Sequence, residues 1–198
     1  MNDNEKVILI KTMLEAIGEK PNREGLKDTP KRVVKMWKEI FRGYDKSQLP
    51  KVITFNNGKD GIVYDEMITD TGTLTSWCEH HMLPFTGTYW CAIIPHSNGK
   101  LLGLSKIGRV VDYFSSKLQI QERLVHEIVE YLWDELYKDC TYPPLGVALV
   151  MEAEHSCKSI RGLKKKGKMR TTKLLGVFKT DSDTRQEFMG WVNSNGKT

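Results

Sequence analysis

Cys78, Glu79, His80 and His81 put a thiol, a carboxylate and two imidazoles into four consecutive positions, and no other stretch constrains the fold as much. Cys78 and His81 are three apart, so on a tight loop or first helical turn both side chains turn toward one ion. Soft sulfur with borderline nitrogen suits zinc. Two donors make half a site, and the other half must come from a distant segment that folding brings alongside. His155-Ser156-Cys157 is the candidate. It follows the apolar run Leu145 to Met151, which reads as a strand; continued in extended form, that strand puts His155 and Cys157 on one face. Each half alone has a plainer reading, since a free cysteine is often a small buried hydrophobe and a short motif matches by chance. Together they favour a metal clamp closed across the chain. Spacing leaves open a closed structural site of Cys78, His81, His155 and Cys157, or a catalytic site of three protein ligands and a water.

The rest of the composition is that of a globular protein able to bury one core. The chain has 198 residues, 39% hydrophobic and 28% charged. No apolar stretch is long enough to span a bilayer and the first residues lack a secretory pattern, so a cytoplasmic location is expected. Four cysteines, at 78, 91, 140 and 157, are too sparse for a disulfide framework and fit reduced thiols, two of them on a metal. A formal charge of +5 suits an anionic partner, whether a phosphorylated metabolite or a nucleic acid.

Periodicity sketches the elements. Val7, Ile10, Leu14 and Ile17 have helical spacing that Gly18 ends. In a second helix Thr29 caps, Pro30 takes the first turn, and Val33, Met36, Trp37, Ile40 and Phe41 form a stripe, with Arg32 and Lys35 off it and three apart. Residues 52–55, 61–64 and 88–94 read as antiparallel strands. Ser97-Asn98-Gly99 before Lys100-Leu101-Leu102 signals a hairpin onto the preceding strand, which puts the Cys78 cluster at a sheet end. Ser105 caps a helix that buries Ile107, Val110, Val111 and Phe114 and leaves Lys106 and Arg109 on another side. A longer helix from about Gln121 buries Val125, Ile128, Val129, Leu132 and Leu136, with Glu122 in its first turn, where the dipole favours a carboxylate. Leu174 to Phe178 reads as a last strand and Thr184 to Val192 as a helix, with Thr184 and Glu187 spaced as a capping box. Between them, residues 161–170 are a basic run that reads as a solvated loop, or beside a metal as a cradle for polyphosphate. There is no Walker A motif, no GxGxxG after a strand and no repeat.

Several separated motifs then fall in one order: Asp28-Thr29-Pro30-Lys31-Arg32, Ser76 to His81, Gly103 to Ile107, Gln119 to Leu124, His155-Ser156-Cys157 with Arg161-Gly162, Gly176-Val177-Phe178, and Glu187-Phe188. In this the chain resembles GTP cyclohydrolase I, a zinc-dependent family that opens the guanine imidazole ring of GTP, releases formate and forms 7,8-dihydroneopterin triphosphate. The resemblance implies zinc on Cys78, His81 and Cys157 with one position left for water, and His80 and His155 beside it as acid/base groups. It assigns Ser105 to the ribose end, Glu122 and Gln121 to the guanine pocket, and Arg32, Lys35, Lys106, Arg109 and Arg161 to the triphosphate. The implied architecture is α+β: the tunnelling fold, an antiparallel four-stranded sheet with two long helices, plus N-terminal helices. Residues 1–50 are then a helical segment and 51–198 the catalytic domain. GTP is the implied substrate and a homodecamer with interface active sites the implied assembly, with neither nucleic acid nor membrane as partner. Trp77, Gly72, Ser156 and Lys158 depart from the commoner family pattern, and none is a ligand or proposed acid/base. A pterin synthase or nitrile reductase of the same fold would lack the combined set of motifs, and a zinc-stabilised nucleic-acid module would need closed coordination.

Overall fold

The computed structural model describes residues 1–103 and 105–196. In chain order they form α1 (Asp3–Ala16), α2 (Thr29–Ile40), β1 (Thr54–Asn56), β2 (Ile68–Cys78), β3 (Pro84–Ile94) and β4 (Lys100–Leu102). There follow α3 (Ser105–Ser115), β5 (Leu118–Gln119), α4 (Gln121–Tyr137), β6 (Gly146–His155) and α5 (Ser156–Ser159). The chain ends in β7 (Lys168–Gly176), α6 (Val177–Thr180) and α7 (Ser182–Asn195). Leu104, inside the motif Gly103 to Ile107, lies outside the described residues.

Four long strands in the order β2-β3-β6-β7 make an antiparallel sheet, and β5 adds two residues parallel to the end of β2. Strand alternation decides what each face meets. Phe85, Tyr89, Cys91 and Ile93 of β3 point to one side with Val147, Leu149 and Met151 of β6. There they pack on Ile107, Val110 and Val111 of α3 and Leu124, Ile128 and Leu132 of α4. Trp90, Ala92, Ala148 and Val150 point the other way, onto Phe178 of α6 and Phe188 and Val192 of α7. The two central strands are thus buried on both faces, and each large side chain taken out of water stabilises by about 1.5–3 kcal/mol. Burial leaves the Cys91 thiol with a strongly raised pKa, so it stays protonated. The architecture is α+β, with α3 and α4 packed on one face of the sheet. No helix among the described residues is long and apolar enough to cross a membrane.

Several local readings need correction. Lys100–Leu102 does follow a turn closed by Gly99 N–H donating to the His96 carbonyl, but it pairs with Thr54–Asn56. Both edges of β3 are already taken by β2 and β6. Residues 61–64 are no strand. Asn57 holds them in a loop, its amide donating to the Tyr64 and His96 carbonyls and its Oδ1 accepting from Tyr64 N–H. The cap of α2 is Asp28 rather than Thr29, and α7 starts earlier than read, with Asp181 accepting from Thr184 N–H. Ser105 is the first residue of α3, not a residue before it. The last strand begins inside the basic run and stops at Gly176, whose φ of 61° and backbone approach to Leu145 O exclude a side chain. Val177 and Phe178 accordingly belong to α6.

Candidate metal centre

β2 delivers Cys78 to the end of the sheet, and residues 79–83 turn back at once into β3. Cys78 N–H donates to the Leu83 carbonyl at 2.9 Å, Met82 N–H donates to the Cys78 carbonyl at 2.8 Å, and Met82 takes a positive φ of 54°. This tight turn brings His81 back over Cys78. On the neighbouring side of β3, His155 closes β6 opposite Phe85, and the single helical turn α5 swings Cys157 toward Cys78. The donor atoms of Cys78, His81 and Cys157 all lie within 4.8 Å of one another. Cys78 is 4% exposed, Cys157 half-buried and His81 exposed, so the trio opens to solvent on one side.

The extended reading of His155-Ser156-Cys157 fails, because α5 breaks the strand after His155. His155 therefore leaves the cluster, and the described residues gather three donors instead of the closed four-ligand set. The geometry fits a tetrahedral ion. Two sulfurs each about 2.3 Å from zinc stand about 3.8 Å apart at the tetrahedral angle, and the two Sγ atoms are separated by 3.8 Å. Burial first, and then the Cys78 thiol beside it, pushes the Cys157 thiol up. A cation between the two sulfurs would reverse that preference by favouring thiolates.

Acid/base candidates surround the trio. His80 Nδ1 lies 3.7 Å from Cys78 Sγ on the exposed turn. His155 stacks on Phe85 with centroids 4.5 Å apart at 10°, and its Nε2 meets Gln121 Oε1 at 2.8 Å. Burial lowers the His155 pKa, opposed by Glu122 and helped by Lys158, so the ring is neutral at neutral pH. Arg161 reaches His81 from the segment that follows α5.

A contact that neither motif announces joins two of them. Arg123 donates through both terminal nitrogens to Glu79 Oε2, at 2.8 and 2.6 Å, tying the metal turn to α4. Both side chains are more than a third exposed, so their pairing contributes at most about 1 kcal/mol to stability. Its value is positional. Arg123→Ala is expected to weaken metal affinity about tenfold in a chelator competition while leaving thermal unfolding nearly unchanged.

The GTP cyclohydrolase I family pattern matches residues 7–193. The chain belongs to the GTP cyclohydrolase I family. "GTP cyclohydrolase 1" of Caldanaerobacter subterraneus subsp. tengcongensis is 42% identical over 198 residues, covering 98% of this chain and 99% of that one. The protein of the same name from Sulfurihydrogenibium sp. is 47% identical over 190 residues, covering 95% and 94%. Among solved structures, the apo archaeosine synthase QueF-Like aligns at a TM-score of 0.40 with 11% identity, over 54% of this chain and 91% of that one, too slight a likeness to bear on the fold.

In this GTP cyclohydrolase I family chain the start of α4 lies beside the metal turn, whereas the candidates on α2 and α3 are not gathered there. Ile107 lines a cavity with Ile68, Ile93 and Leu136 at the start of β2, whereas Leu118 and Gln119 pair with Trp77 and Cys78 at its end. The helix α3 spans about 15 Å between those ends. Ser105 and Lys106 consequently sit toward the far end of β2 from Cys78, and Arg109 lies about midway, next to Gly108, which lines a cavity with Thr73, Leu74 and Thr75. Arg32 and Lys35 are exposed on α2, and Lys35 lines the groove against Asp3, Asn4 and Val7 of α1. The C-terminal end of α2 nears the metal turn: Trp37 lines a groove with Met82, and Phe41, just past the helix, meets Trp77 of β2 with ring centroids 6.0 Å apart. Glu122 is exposed in the first turn of α4, beside the buried Gln121. The charge is unevenly spread: residues 158–170 hold seven of the 30 basic residues and none of the 25 acidic ones. Apart from this arm the chain is slightly acidic.

Proposed function

We propose that this chain hydrolyses GTP at the guanine imidazole ring, releasing formate and forming 7,8-dihydroneopterin triphosphate, with zinc held by Cys78, His81 and Cys157. The function is that of its family, and the supporting observation in the fold is the open three-donor cluster with two further imidazoles beside it. A bound zinc supplies Lewis acidity that makes water nucleophilic near neutral pH. The chain's own groups handle the protons. C8 of the purine is a poor electrophile until N7 is protonated, and His80 is assigned that proton transfer. His155 is the second acid/base group. One water opens the ring at C8, a second releases formate, and the freed amine recloses onto the rearranged ribose with loss of one water, Ser105 assisting at the ribose.

Glu122 accepts the guanine N1 and N2 hydrogens, an arrangement that rejects adenine because its edge would leave the carboxylate unpaired. Arg32, Lys35, Lys106, Arg109 and Arg161 take the triphosphate, with the basic arm adding long-range attraction. These groups are spread over one subunit, which supports sites shared between subunits. The outer edges of β2 before Trp77 and of β7 carry no partner strand among the described residues, and edge-to-edge closure into rings, stacked as a homodecamer, would satisfy them. That assembly is the tunnelling fold, with residues 51–198 as catalytic domain and 1–50 as helical segment. Thiolate ligands require a reducing compartment, hence a cytoplasmic location.

The decisive experiment measures formate released from GTP by zinc-loaded protein; no release under those conditions sinks the proposal. His80→Ala should keep its zinc and lose roughly two to four orders of magnitude in rate. Zinc loss from that variant would mean that His80, rather than His81, is the ligand.

A further inference from the structure

We infer that Gln121 is a positioning residue that fixes the tautomer of His155, and that it does not contact guanine. The inference rests on the proposed acid/base role of His155. Gln121 is 1% exposed, and one end of its amide lies 3.0 Å from the Met151 carbonyl, 3.0 Å from the Met169 carbonyl and 3.0 Å from Thr171 Oγ1. Carbonyl oxygens only accept, so that end is the NH2 group, and its two hydrogens are fully used by three acceptors. The opposite atom, Oε1, can only accept, and it faces His155 Nε2 at 2.8 Å. Nε2 must therefore carry the hydrogen. A neutral imidazole has one ring hydrogen, so Nδ1 is left with the lone pair.

Phe85 closes the rest of the orientation. It pairs with His155 across β3 and β6 and lies almost parallel to the ring, which blocks one face and limits rotation. A proton arriving at His155 thus goes to Nδ1, and the Gln121 oxygen keeps its bond to Nε2–H before and after, stabilising the imidazolium. A glutamine that read the base edge would need a free donor or acceptor. Here both hydrogens are spent on the three acceptors and the oxygen is buried against His155, so the neighbouring Glu122, exposed at the same helix start, is left to meet the substrate.

The test pairs kinetics with 15N NMR of histidine-labelled, zinc-loaded protein, the His155 signals being assigned through His155→Asn. The expected spectrum has a protonated Nε2 and an unprotonated Nδ1. Gln121→Leu should lower kcat by at least about tenfold, with the KM for GTP within about twofold, the pattern of a lost transition-state interaction. A raised KM with kcat kept would place Gln121 on the guanine and overturn the inference, as would unchanged kinetics or a wild-type spectrum with the hydrogen on Nδ1. Should Gln121→Leu fail to fold, Thr171→Val removes one of the three anchors at a gentler site. It should lower kcat with KM kept and bring a second His155 tautomer into the spectrum, and an unchanged spectrum and kcat there would overturn the inference. Absence of formate release from wild-type protein would instead defeat the proposed reaction, leaving the tautomer result to stand by itself.

Discussion

Cys157→Ala is expected to leave the purified protein with less than about a tenth of a zinc per chain, against about one in the parent, and to abolish formate release from GTP. A site of three protein donors that loses one has two, too few to hold the ion against water and buffer. Cys157 is the better position to test than Cys78. It sits half-buried on the four-residue α5, so removing its sulfur disturbs little else, whereas Cys78 lies in the main core and its truncation adds a packing loss. The melting temperature without metal should therefore match that of the zinc-stripped parent. Metal retained at parental levels in Cys157→Ala would show that the sulfur pair at 3.8 Å is a packing contact and not a clamp. Acid should release the metal from the parent as well, since protons compete for both thiolates and for His81.

Much of this arrangement was legible in residues and their spacing, and the parts that were not share a physical reason. The stripe on α4 was read correctly because five apolar positions at helical period leave only one way to face a core. Cys78 does lie at a sheet end, but the hairpin at residues 97–102 from which that place is inferred pairs with β1 and not with β3. The strand β2 itself has no apolar run to mark it. Thr69, Thr71, Thr73 and Thr75 fill alternate positions of its less buried face, so a hydropathy reading finds no run, although threonine is a good strand former. Residues 61–64 misled in the opposite way. They are apolar and β-branched, yet the Asn57 hydrogen bonds and the positive φ angles at Gly58 and Gly61 make a loop of them, with Ile62 and Val63 exposed. Strand alternation points to Cys157 for a reason that the structure replaces: a single helical turn, not an extended strand, brings its sulfur to Cys78. Contacts between residues far apart in sequence, such as Gln121 with His155 or Glu79 with Arg123, leave no local periodicity to read. Sequence order named their motifs without pairing them.

Co-expression of two inactive variants should restore activity, and this outcome separates a shared site from one built within a single chain. The three candidate metal donors gather around Cys78 at the end of β2, while Lys106 and Arg109 stand on α3, whose first turn packs at the beginning of that strand. In the proposed shared site, one GTP takes its metal donors from one subunit and these cations from its neighbour. Each charge-assisted hydrogen bond lost from a desolvated site costs about 1.5–3 kcal/mol, or about ten- to a hundred-fold in binding. The double variant Lys106→Ala/Arg109→Ala should thus be nearly inactive while keeping its zinc. Cys157→Ala should be inactive through loss of the metal. In rings assembled at random from equal amounts of both, a site that takes its thiolates from one chain and its cations from the neighbour is intact about one time in four. Recovery of about a quarter of the parental activity is expected, and none when the two proteins are purified apart and mixed without subunit exchange. A site complete within one chain gives a different result. Every chain then carries one lesion or the other, no intact site can form at any ratio, and co-expressed protein as inactive as its parents would refute the shared site.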